Sequence, residues 1–172
     1  MTTIAPEEPR LTSQTWRGHW HGFGPWIGDP KAYAAEGNRR PAHPVLPVAP
    51  DIVDRYHKAA QEFSTGTLPP LMTGHWLLKK AQVTRALTWT DVGKAVVWLE
   101  QQYLETPPFE RTDGQQAYVG LDVTLAYARD ALPRGVDVSC VYYTPSRSLF
   151  AAQIVCCPSL HHPDLPCPLP PS

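Results

Sequence analysis

A chain of 172 residues with 42% hydrophobic and 10% aromatic content can bury a core of its own, which excludes a disordered protein and fits one domain. Its formal net charge of −1, from 15 basic and 16 acidic residues, lacks the basic excess with which nucleic-acid binders neutralise phosphate. No apolar run approaches the ~20 residues needed to span a bilayer, and Met1 to Arg10 carries neither the basic nor the apolar region of a secretory signal.

A cytoplasmic location is expected on these grounds, with Cys140, Cys156, Cys157 and Cys167 as reduced thiols. Ten Arg against five Lys, abundant Pro and a single asparagine, Asn38, point to a high-GC bacterial genome.

Residues 1–15 are polar and aperiodic and are expected to form a flexible tail. In 16–26, three glycines and a proline rule out a regular helix, while Trp16, Trp20, Phe23 and Trp26 argue against a mobile linker. A loop or short edge strand packed on the core is expected there. Pro30, Pro41, Pro44, Pro47 and Pro50 then favour an extended, polyproline-like run over 28–50.

The first helix is expected over 51–63, with Asp51 as cap or in the first turn. Ile52, Val53, Tyr56, Ala60 and Phe63 form its apolar face. A strand-like or irregular stretch follows through 74–89. Val92, Ala95, Val96, Leu99 and Tyr103 predict a second helix over about 91–104, with Thr90 as its N-cap and Thr106-Pro107-Pro108 as its stop. Residues 117–120 read as a short strand and 122–132 as a third helix capped by Asp122. Val136, Val138, Cys140 and Tyr142 alternate on one arm of a hairpin turned at 144–147. The return arm, Leu149 to Cys156, is apolar on both faces and should lie centrally in the sheet.

The expected fold class is α+β. It has a mixed sheet of about four strands in the order β-α-β-α-β-β, three helices, and extended proline-rich N- and C-terminal segments. One domain spans 16–157, and 158–172 is a proline-rich tail, either mobile or laid on a partner.

Three groups of residues carry candidate chemistry. His19 and His21, two apart on extended backbone, point the same way and could share a metal ion or a substrate. Around them Trp16, Trp20, Phe23 and Trp26 could form an apolar wall against a ligand or partner, although packing is the ordinary role of such a segment. Near the other end, Cys157, His161, His162 and Cys167 are zinc-type ligands at a spacing that matches no standard site. Cys156 and Cys157 should face opposite sides of their strand, so one of them at most could bind. Cys140 is a weak candidate nucleophile, because a mid-strand cysteine is ordinarily a small core residue. Phosphate-binding loops, nucleophile elbows and protease signatures are absent. No cofactor is predicted, and zinc is the one metal these residue types suit.

The functional expectation is a small enzyme subunit or accessory protein acting with a partner chain on a small molecule in specialised metabolism. One alternative is a non-catalytic interaction module whose proline-rich ends wrap a partner. A second is a small metal-dependent enzyme acting alone. A protein partner or self-association is expected in either of the first two cases.

Overall fold

The computed structural model describes residues 15–115 and 117–172; all but the last residue of the expected 1–15 tail lies outside them. Four strands, β1 (His19–Gly28), β2 (Thr88–Trp89), β3 (Val138–Tyr143) and β4 (Leu149–Cys157), form one sheet in the order β2-β1-β4-β3. The helices are α1 (Pro30–Ala34), α2 (Pro50–Thr65), α3 (Val92–Glu105) and α4 (Leu121–Ala131). The α+β class is as expected, with every pairing antiparallel where a mixed sheet was anticipated. No helix among the described residues is long and apolar enough to cross a membrane.

The largest departure from the sequence reading is β1. It is a ten-residue strand inside the sheet, flanked by β2 and β4, where a loop or edge strand was expected. Glycine serves here to admit close neighbours. A Cβ at Gly22 would lie 2.6 Å from the Trp89 ring, so strand and indole touch only because that atom is missing. Gly24 has φ +98°, and the register with β4 shifts between Phe23 and Trp26. Pro25 falls in this irregularity, where the ladder needs no N–H from it.

Strand alternation divides the buried side chains of the sheet between two cores. On one face Trp20, Cys140, Phe150, Ala152, Ile154 and Cys156 pack with Ala95, Val96 and Leu99 of α3 and Leu125 and Ala128 of α4. These helices are amphipathic at the spacing the sequence shows. α3 is capped by Asp91, whose carboxylate accepts from Gly93 N at 2.7 Å, one residue later than the expected Thr90. Gly120 takes the N-cap position of α4, leaving Asp122 in the first turn, and 117–120 forms no strand. Glycine and the turn around it interrupt the extended pairing that the alternation of Val119 and Leu121 suggested.

The opposite face holds a smaller core of Phe23, Trp76, Leu77, Val155 and Cys157, with Val83, Leu165 and Cys167 packed against it. No long helix among the described residues covers it. Its roof is a 3-10 segment, Thr73–Leu78, together with the C-terminal residues. Trp76 stacks on Phe23 at 4.7 Å between centroids, and its Nε1 donates to Gln153 Oε1. Gln153, 3% exposed on β4, passes the bond on from Nε2 to Ser139 Oγ at 2.8 Å. Gln153→Ala would leave the Trp76 N–H buried without an acceptor. A loss of about 1–3 kcal/mol is expected, read as a lower urea midpoint at unchanged m-value; an unchanged midpoint would show that water reaches Trp76.

The 28–50 run is extended only in part, since it contains α1 and a 3-10 turn, Glu36–Arg39. Arg39 is buried and pins this run to the body of the protein, donating to Pro69 O at 2.9 Å, Tyr33 O at 2.8 Å and Pro70 O at 3.2 Å. Beyond it, residues 41–49 form no helix or strand, and Val45, Leu46 and Val48 stand exposed. α2 ends on Lys79, whose buried ammonium donates to Phe63 O and to Gly66 O. A cation at those last carbonyls is favoured by the helix dipole.

Candidate metal centre

Antiparallel register brings the two ends of the described chain together. His19 on β1 is the cross-strand partner of Cys157 on β4, so their side chains project side by side from the same face. His21 lies two residues along β1 and therefore on that face as well. The fourth member, Cys167, comes from the C-terminal segment that roofs the smaller core. The ligand atoms of His19, His21, Cys157 and Cys167 all lie within 4.8 Å of one another.

Individual contacts are tighter. His19 Nε2 is 3.1 Å from His21 Nε2 and 3.1 Å from Cys167 Sγ, and His21 Nε2 is 3.5 Å from that sulfur. Zinc–nitrogen bonds near 2.0 Å and zinc–sulfur bonds near 2.3 Å, arranged tetrahedrally, require donors about 3.3–3.8 Å apart. The three separations among His19, His21 and Cys167 are close to that size. The widest span in the set, up to 4.8 Å, would contract by about 1 Å around an ion, and the N2S2 composition suits zinc.

A second layer fixes how His21 presents itself. Thr88 Oγ1 donates its single proton to Thr84 O at 2.7 Å. Its contact with His21 Nδ1, at 2.9 Å, is therefore one in which Nδ1–H donates and the hydroxyl accepts. That tautomer leaves the lone pair on Nε2, the atom facing the cluster. Burial, reinforced by the neighbouring His19, lowers the His21 pKa to about 4, which keeps the ring neutral as a metal ligand must be. Burial also lowers His19. The Cys157 thiol is pushed up to about 12, first by burial and then by its hydrogen bond with Cys167. A cation bound at Cys157 would have to displace that thiol proton, so its affinity would fall as pH falls.

The set has four donors, all from protein, of which His21 and Cys157 are buried and His19 and Cys167 half-buried. Four protein ligands are the number typical of structural zinc centres, whereas a catalytic zinc keeps one position open to water or substrate.

The other sequence candidates are placed elsewhere. His161 is exposed, and His162 packs at a tilt against His75, 4.4 Å between ring centroids, outside the set of four donors. Cys156 projects to the opposite face of the sheet, its Sγ 3.8 Å from Leu132 O. Cys140 is fully buried beside the Tyr118 hydroxyl at 3.3 Å, and burial raises its thiol pKa, opposite to what activates a nucleophile. Trp16, Trp20, Phe23 and Trp26 do not converge into one wall. Alternation sends Trp20 toward the helices and Phe23 toward Trp76; Trp16 packs on Trp20, and Trp26 packs near Tyr33. Thr88, which no local sequence pattern marks, reaches His21 through the pairing of β1 with β2.

Comparison with protein-family models, curated proteins and solved structures found no match.

Proposed function

We propose that the protein is a zinc-binding accessory chain: one Zn²⁺ held by His19, His21, Cys157 and Cys167 fastens the proline-rich C-terminal segment over the sheet, and the domain so closed serves to bind a partner. The observation that carries the metal reading is the meeting of four zinc-type donors from sequence positions up to 148 residues apart. Two thiolates and two neutral imidazoles balance the charge of the dication, and Thr88 supplies the outer hydrogen bond such ligands use. The accessory role rests on the closed donor set and on the exposed Val45, Leu46 and Val48, held on an anchored strap between Arg39 and α2. Proline pre-sets the backbone there, so ordering it against a partner costs little entropy.

Native mass spectrometry of protein purified without chelator or metal-affinity tag is expected to show one zinc per chain. Cys167→Ser and His21→Ala should each lose it at a free zinc concentration that saturates the parent. Metal-free parent protein that binds no added zinc would overturn the reading. A stoichiometric metal in the Cys167→Ser variant, at unchanged affinity, would remove the C-terminal segment from the site.

A further inference from the structure

The two sulfur donors of the centre are also each other's neighbours, and this pairing has a chemistry apart from metal binding. We propose that Cys157 and Cys167 form a reversible disulfide, so that oxidation by a hydroperoxide expels the metal while the C-terminal segment stays tied to the sheet. The expelled ion rests on the zinc reading above; the sulfur pairing rests on geometry alone.

The Sγ atoms lie within 4.8 Å of each other. A disulfide needs about 2.05 Å, so closure asks for an approach of up to about 3 Å. One partner is fixed and the other is free to adjust. Cys157 is 2% exposed at the end of β4 and held by its pairing with β1. Cys167 is half-buried in a stretch without helix or strand. The remaining cysteines offer no competing partner: Cys140 and Cys156 are both 0% exposed on the helix-covered face. Alternation along β4 puts Cys156 on the far side from its sequence neighbour.

The reaction balances with the hydroperoxide as oxidant. The more accessible thiolate, Cys167, attacks a peroxide oxygen; the O–O bond breaks, and hydroxide leaves to become water, giving a sulfenic acid. The Cys157 thiolate attacks that sulfur, the S–O bond breaks, and a second water leaves. Two thiolates, one hydrogen peroxide and two protons become one disulfide and two waters. The ion, having lost both anionic ligands, departs to solvent. A dithiol reductant reverses the bond by exchange. The segment is thus closed by a metal in one redox state and by a covalent bond in the other, and it opens only when both are missing.

The test uses the full chain, zinc-loaded, treated with hydrogen peroxide. A colorimetric zinc indicator should register one equivalent released as two thiols disappear, with a Cys157–Cys167 cross-linked peptide in a non-reducing digest. Dithiothreitol and zinc should restore the starting form. Limited proteolysis within 160–172 should be slow in the zinc and disulfide forms and at least tenfold faster in the reduced, chelated form. Release of zinc without the cross-linked peptide, or with sulfinic acids or intermolecular bonds in its place, overturns the proposal. So does an oxidised protein whose C-terminal segment is cut as fast as the chelated one. Protein that carries no zinc yet forms the bond would sink the metal reading and leave this one standing.

Discussion

Removing the zinc under reducing conditions is expected to lower the midpoint of thermal unfolding by on the order of 10 °C. Ligands that bind only the folded state stabilise it in proportion to the logarithm of their saturation, about 4 kcal/mol at a thousandfold excess over Kd. For a chain of this size each kcal/mol moves the midpoint by about 2–4 °C. The donors are spread over β1, β4 and the C-terminal segment, so an unfolded chain does not present them together. The loss should be reversed by adding zinc back and should be absent in Cys157→Ser, which has no complete site to empty. Thr88→Val separates the outer hydrogen bond from the ligands. It leaves all four donors in place but deprives His21 Nδ1–H of its acceptor, and a 10–100-fold weaker zinc affinity is expected. Calorimetric midpoints with and without chelator, and competition with a zinc indicator, measure both. A midpoint indifferent to chelation in protein shown to carry zinc would mean that the metal adds nothing to the fold.

Phe150→Ala should cost about 3–5 kcal/mol, the range for emptying a buried aromatic site. Phe150 is 0% exposed toward the hairpin end of the helix-covered face, between cross-strand neighbours Ile27 on β1 and Tyr142 on β3. Its ring stacks on Tyr142 with centroids 4.5 Å apart, and Tyr142 in turn packs edge-on to Tyr103 of α3. The Tyr142 hydroxyl donates to Thr106 O, so that ring cannot simply swing into the void. Denaturant unfolding should show a shifted midpoint, with zinc content unchanged because the four proposed ligands sit on the other face. Joint loss of stability and zinc would mean that the two faces unfold as one unit even under mild perturbation.

Where spacing alone decides structure, the sequence was legible. α3 follows from apolar residues at i, i+3, i+4 and i+7. The terminal hairpin follows from period-two alternation, and the doubly apolar β4 does lie between two other strands. β1 was misread because Gly22, Gly24 and Pro25 look like a broken loop. Their reasons, an indole against Gly22 and a bulge opposite β4, are tertiary facts. The candidate site was present in the sequence as two incomplete halves. His19 and His21 lacked further ligands nearby, and Cys157 and Cys167 lacked imidazoles at a usable spacing. What joins them is strand register, which no local pattern encodes across so long a separation. His161 and His162 drew attention by proximity to the cysteines, yet the path of the chain between Cys157 and Cys167 carries His162 to His75 instead.

The central pairing of β1 with β4 also sets a schedule for biosynthesis. Everything from Gly28 to Leu149 must be translated before β1 meets the strand it pairs with most extensively, an interval of roughly 6–24 s at 5–20 residues per second. Through that wait Trp20 and Phe23 have no sheet to enter, and short β2 offers β1 only the pairings of Trp20 and His21. For that interval the apolar side chains of β1 have no β4 to pack beside, and the sheet can close only once β4 has been made.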